Sequence, residues 1–299
     1  PARVQVREDA VPGSPSASQP PTLAAAAPLP EAVGQLLSRW WGFDTLRPLQ
    51  SNAIAAALDG RDSLVVMPTG GGKSLCFQLP PLVGDSTDVV ISPLVALMKD
   101  QVDALEAIGY PAAALYAGMS DVERLSIRRR LEAGELRLLF TAPERLVNTG
   151  LMDLLARVGV KRFAVDEAHC ISQWGHDFRP EYRQLAMLRD RFPQASLHAF
   201  TATATPRVRD DIANQLALRD PVRLVGTFDR PNLIYRVVPR ADRTNQVMQI
   251  LGRHRGEASI IYCMSRKETE TLAARLAAEG FLARPYHAKL TPEARHKTQ

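Results

Sequence analysis

Met67-Pro68-Thr69-Gly70-Gly71-Gly72-Lys73-Ser74 lies between an apolar triplet, Leu64-Val65-Val66, and a helix-capable stretch from Leu75 to Leu79. A strand that turns on glycines into a helix headed by Lys-Ser builds an anion cradle. Consecutive backbone N–H groups converge there, and the helix N-terminus adds the positive end of its dipole. Lys73 is placed to reach the β and γ phosphates of a nucleotide and Ser74 to ligate Mg2+. Met67 stands where the strict phosphate-loop pattern has glycine. The bland alternative is a glycine-rich turn without a ligand.

A second motif argues against that alternative. Phe163-Ala164-Val165 has the pattern of a buried strand and runs into Asp166-Glu167-Ala168-His169. Acids at the carboxyl end of a parallel strand lie where nucleotide sites form in open α/β sheets. Asp166 is the candidate Mg2+ ligand, directly or through water, and Glu167 the candidate that orients and polarises an attacking water. Two adjacent acids in a solvated loop would not need the apolar triplet before them. The two motifs together point to ATP hydrolysis by Lys73, Asp166 and Glu167.

Bulk composition permits this reading without deciding it. The chain has 299 residues, enough for one large α/β domain and part of another, and its net charge of +5 tolerates a polyanionic partner. Its 3 cysteines, Cys76, Cys170 and Cys263, are scattered singly. They form no C-x-x-C pair, so no zinc site is read from the spacing and a reducing setting is expected. No run approaches the ~20 apolar residues that a membrane span needs, so no membrane partner is expected.

Residues 1–30 interleave proline with alanine, serine and glycine and are read as a disordered leader. From residue 31 the pattern alternates helix and strand, the signature of a parallel sheet wound with helices. Candidate strands are 64–67, 89–92, 112–116, 136–141, 163–166 and 197–201. Ser120-x-x-Glu123 is a capping box, and Thr205-Pro206 places a cap and a proline at a helix start. A second set follows the turn-rich segment 228–232: a buried strand over 259–263, a helix capped by Ser265, a strand over 283–286 and a helix opened by Thr291-Pro292. The organisation expected is one domain over 31–226 and the beginning of another over 227–299.

Several segments together resemble the RecQ family of superfamily 2 DNA helicases, which also spell the phosphate loop Pro-Thr-Gly-Gly-Gly-Lys-Ser. Phe43-x-x-x-Arg47-x-x-Gln50 is similar to that family's adenine-recognition element. Ser92-Pro93-Leu94 through Gln101 resembles motif Ia, Thr141-Ala142-Pro143-Glu144-Arg145 motif Ib, and Thr201-Ala202-Thr203-Ala204 motif III. Cys170 through Tyr182, containing Gln173, Trp174, His176, Phe178 and Arg179, resembles the aromatic-rich loop that distinguishes this family from RNA helicases. The resemblance implies a RecA-like fold followed by an incomplete second RecA-like domain. Thr69 through Ser74 would hold ATP and Mg2+ together with Phe43, Arg47 and Gln50. Ser92, Thr201, Thr203 and the aromatic loop would serve strand binding and coupling.

Chemistry supports the loop reading independently. Trp174 and Phe178 offer π-faces to bases, with His176 and Arg179 beside them, and a base–aromatic stack contributes ~1–3 kcal/mol. The loop starts directly after His169, so a stacked base could pull on the strand carrying Glu167. The competing reading buries both rings in the core. Trp40 and Trp41 are read as packing, Arg128-Arg129-Arg130 as a solvated helix face, and His198 as a satisfied core histidine.

Lys289 and Met264 depart from the family's motifs, and motifs V and VI and the zinc-binding, winged-helix and HRDC regions do not follow Gln299. The resemblance thus implies part of an ATP-dependent 3′-to-5′ DNA helicase of repair and recombination. Its partners would be single-stranded DNA and strand–duplex junctions, and its setting intracellular, either cytoplasmic with the nucleoid or nuclear. Alternatives are a duplex translocase, an RNA helicase, or a nucleotide- and DNA-binding module without unwinding activity.

Overall fold

A computed structural model describes residues 29–148, 150–175, 177–227 and 233–298. His176, the turn 228–232 and nearly all of the expected leader lie outside the described residues. Short apolar runs form seven strands: β1 (Ser63–Val66), β2 (Asp88–Ile91), β3 (Ala112–Leu115), β4 (Leu138–Thr141), β5 (Arg162–Val165), β6 (Ser196–Thr201) and β7 (Val222–Val225). They join side by side, all parallel, in the order β3-β4-β2-β5-β6-β1-β7.

Both faces of this sheet are buried, as a parallel sheet covered by helices requires. Leu64, Ile91, Leu139, Val165 and Leu197 point to one face, where Ile127, Leu155 and Ile212 cover them. Their neighbours Val65, Val90, Phe140, Ala164 and Phe200 point to the other, against Ala53, Phe77 and Met98. The expected strands were therefore visible as unbroken apolar runs. β7 carries no such run: it is a half-exposed edge strand of four residues interrupted by Arg223.

Helix starts follow their capping chemistry. The Glu123 N–H donates to Ser120 Oγ and the Ser120 N–H to Glu123 Oε2, a complete capping box for the helix Asp121–Glu132. Thr205 Oγ1 accepts from the Val208 N–H at the head of Pro206–Gln215. His198 is buried, with Ser63 Oγ 2.9 Å from Nδ1 and Ser196 Oγ 2.8 Å from Nε2. Burial pulls this imidazole down to about 3, so it is a neutral core group. Trp40 and Trp41 pack on Tyr110, and Arg128 and Arg129 are exposed.

The chain divides between Asp229 and Arg230 into two compact units. The second holds the helices Arg243–Arg253, Arg266–Ala278 and Pro292–Thr298. The two strands expected there do not form: 259–263 and 283–286 are irregular, with Ile260 82% and Tyr262 93% exposed. A strand needs a ladder partner for its N–H and C=O groups, and no strand is present among the described residues of this unit. No helix among the described residues is long and apolar enough to cross a membrane.

Candidate functional site

Strand order decides which loops meet. In a parallel sheet every strand ends at the same edge, and here β6 lies between β1 and β5. Val66 pairs with Thr201, and Ala199 with Val165, so the glycine loop and the acidic motif leave the sheet on either side of Thr201. Ligand crevices of open α/β sheets form at this edge.

The glycine loop turns tightly into the helix Lys73–Gln78. The Gly71 N–H donates to Pro68 O at 2.9 Å, and Lys73 Nζ folds back to donate to Met67 O at 3.0 Å. Gly72 has φ +83, a conformation that favours glycine, and a Cβ there would push aside the Gln50 amide, 2.3 Å away. Thr69 and Gly70 are exposed, while Ser74, at the second position of the helix, is half-buried.

Gln50 and Arg47 rest against the glycine loop. Gln50 is 4% exposed; its Nε2 donates to Gly72 O at 3.0 Å, and its Oε1 accepts from the Arg47 N–H at 2.7 Å. The Arg47 guanidinium donates to Gly70 O. Both side chains therefore clasp the glycine loop and hold the carbonyls of Gly70 and Gly72. Phe43, 54% exposed, keeps a bare ring available for stacking.

Asp166 and Glu167 leave β5 on a strained turn. Glu167 adopts φ +47, ψ +43, a left-handed conformation that costs a non-glycine residue roughly 1–2 kcal/mol. Asp166 Oδ1 accepts the Glu167 N–H at 3.0 Å, and Tyr182 donates its hydroxyl to Asp166 O at 3.1 Å. Burial raises the Asp166 carboxyl to about 6, with the Glu167 charge acting in the same direction and Lys73 against it. The Asp166 carboxylate thus feels the Lys73 charge across Thr201. His169 Nδ1 lies 2.9 Å from Thr201 Oγ1 and 3.2 Å from Glu167 Oε2, joining the acidic motif to β6.

The aromatic loop leaves that cluster without a spacer. Trp174 is 58% exposed and Gln173 is exposed, so core packing of Trp174 is excluded. Phe178 is half-buried, with Arg183 5.3 Å from its ring centre. Arg179 pairs with Asp177 and donates to Pro93 O at 3.0 Å, tying this loop to the segment after β2. Thr203 is exposed. Ser92 and Thr201 are fully buried. Thr201 bridges His169 and the backbone of its own loop, where its Oγ1 donates to Thr203 O at 3.2 Å.

The sequence pattern of the DEAD/DEAH box helicases matches residues 47–212, which contain all of this edge except Phe43. The chain belongs to the DEAD/DEAH box helicase family. Within it, the RecQ resemblance holds. The ATP-dependent DNA helicase RecQ of Pasteurella multocida is 42% identical over 272 residues, covering 91% of this chain and 43% of that relative. The RecQ-like DNA helicase BLM of Xenopus laevis is 41% identical over 276 residues, covering 89% of this chain and 20% of the relative. The chain thus spans less than half the length of these helicases. A solved structure of the DUF1998 helicase MrfA bound to DNA shares the fold, with a TM-score of 0.66 and 18% identity over 91% of this chain and 43% of that one.

Three residues of this edge had no separate sequence signal. His169 was visible only as part of the acidic motif, and its partner Thr201 is brought to it by the pairing of β5 with β6. Tyr182 closes on the Asp166 backbone from the far end of the loop. Arg207 stacks on Trp174 from the helix after β6, a contact that spacing does not encode.

Proposed function

We propose that this chain carries the ATP-hydrolysing motor of a RecQ-type DNA helicase. ATP would lie on the N–H groups of 69–74, with Lys73 on its terminal phosphates and Phe43 against its base. Mg2+ would be held by Ser74 and Asp166, and Glu167 would orient the water. The supporting observation is that Thr201 stands between the glycine loop and the acidic motif and is hydrogen-bonded to His169, from which the aromatic loop departs. Strand contact at Trp174, Gln173, Phe178 and Arg179 would thereby reach Glu167. Single-stranded DNA and strand–duplex junctions are the proposed partners, 3′-to-5′ the proposed direction, and DNA repair and recombination inside the cell the proposed setting.

ATP hydrolysis measured with single-stranded DNA, duplex DNA, RNA and no nucleic acid tests this. Stimulation greatest with single-stranded DNA is expected. Greater stimulation by duplex or RNA would assign the chain to a translocase or an RNA helicase. Nucleotide binding with no hydrolysis under any condition would leave a binding module.

A further inference from the structure

The junction of the acidic motif and the aromatic loop gathers three donors of different kinds. His169 Nε2 lies 3.8 Å from Cys170 Sγ, and Cys170 Sγ lies 3.7 Å from Asp177 Oδ2. All three atoms fall within 4.8 Å of one another. His169 and Cys170 are buried, and Asp177 is exposed at the rim.

The groups around His169 Nδ1 suit a proton on that nitrogen. Thr201 Oγ1 donates its only proton to Thr203 O, so it accepts from His169 Nδ1. Glu167 Oε2, the other neighbour of Nδ1, is also an acceptor. With its proton on Nδ1, the neutral ring turns the Nε2 lone pair toward Cys170 Sγ, 3.8 Å away. A histidine whose N–H is held by a carboxylate while its other nitrogen faces further ligands has the arrangement found at protein metal centres.

We propose that His169 Nε2, Cys170 Sγ and Asp177 bind a borderline-soft divalent cation of the zinc class, separate from the oxygen-ligated Mg2+ position. Ligands at ~2.0–2.3 Å around a tetrahedral ion lie ~3.3–3.8 Å apart, close to the two observed separations. Nitrogen and sulfur together favour zinc over magnesium. A tetrahedral ion would take a fourth ligand beyond these three. Burial, Asp177 and Glu167 hold the Cys170 thiol up at about 12; the same negative charges favour a dication, which displaces the thiol proton as it binds. Arg179 holds Asp177 Oδ2 through Nε at 3.3 Å and Nη2 at 3.0 Å, so the ion and the guanidinium compete for this carboxylate. On the ATPase reading above, an ion here would fix the ring shared by Glu167 and Thr201 and lower DNA-stimulated hydrolysis.

Co2+ titration of the full chain in the absence of nucleotide tests the site, because cobalt bound by a thiolate absorbs in the near ultraviolet. One equivalent should develop this band, and Zn2+ should displace it. Cys170→Ser should abolish the band, Asp177→Asn should weaken binding roughly 10-fold, and Cys76→Ser and Cys263→Ser should leave it unchanged. A band that survives Cys170→Ser, disappears with Cys263→Ser, or never saturates overturns the proposal. So does unchanged affinity in Asp177→Asn, whose exposed side chain leaves the fold intact. The readout needs no hydrolysis, so its failure is distinct from failure of the ATPase reading.

Discussion

The guanidinium carbon of Arg207 lies 3.3 Å from the centre of the Trp174 ring. Arg207 belongs to the helix Pro206–Gln215, directly after the loop that contains Thr201 and Thr203. One face of the most exposed aromatic of the loop is thus covered by a residue adjoining β6. An exposed cation–π contact contributes ~0.5–1 kcal/mol, less than the ~1–3 kcal/mol of a base stack, so a base stacking on that face would displace the guanidinium. Arg207→Ala should raise single-strand affinity about 2- to 5-fold at fixed salt. A fall in affinity with a shallower salt slope would instead make Arg207 a phosphate contact. Trp174→Ala should lose most DNA-stimulated hydrolysis while keeping the DNA-independent rate, because phosphate contacts dominate affinity. Full stimulation in that variant would remove the loop from the coupling path.

Lys73 is half-buried, and its ammonium donates to the Met67 carbonyl. Lys73→Ala removes a phosphate cation without opening the core. The thermal midpoint should stay within a few degrees, as for a change of at most about 1 kcal/mol, while kcat falls at least ~100-fold. Hydrolysis at the normal rate by a folded variant would end the phosphate-loop assignment.

Gln50 and Phe43 should separate where the sequence motif groups them. Gln50→Ala releases Gly72 O and the Arg47 N–H, two bonds of ~0.5–1.5 kcal/mol each. It should weaken ATP and inorganic triphosphate alike, because the phosphate cradle itself loosens. Phe43→Ala should weaken ATP and leave inorganic triphosphate unchanged, since a lost stack concerns only the base. Loss confined to ATP in Gln50→Ala would restore its amide to base recognition. Binding measured by calorimetry for both ligands decides.

What the sequence made legible follows from locality. The glycine loop, the acids after β5 and the caps at Ser120 and Thr205 are chemistry between near neighbours, and each stands where its spacing placed it. The clasp of Gln50 on Gly72, the burial of Ser92 and the stacking of Arg207 on Trp174 depend on contacts between distant segments, which no local pattern carries. Residues 259–263 have a strand's apolar pattern without a strand partner among the described residues, and pattern alone does not supply one. The His169–Cys170–Asp177 cluster was hidden for a related reason: metal spacing rules look for repeated ligand pairs, whereas here a loop returns one carboxylate to a contiguous His-Cys.

Asp166 sets a pH limit on any Mg2+ bound at this edge. Its carboxyl is raised from 3.8 to about 6, chiefly by burial and next by the charge of Glu167. In the metal-free protein the folded state therefore holds a proton that the unfolded chain has already released. Stability contributed by that proton is present below pH 3.8 and is lost as pH rises through about 6. Mg2+ binds the ionised carboxylate, so its affinity should fall up to ~10-fold per unit below about pH 6. Magnesium-dependent nucleotide binding should show this acid limb, measured at equilibrium so that hydrolysis plays no part. Glu167→Gln removes the neighbouring charge and should move the limb to lower pH while nucleotide still binds and is not turned over. A limb unmoved by Glu167→Gln would show that the two carboxylates do not share a field. Loss of nucleotide binding in that variant would make Glu167 part of the metal's hold rather than the group that orients water.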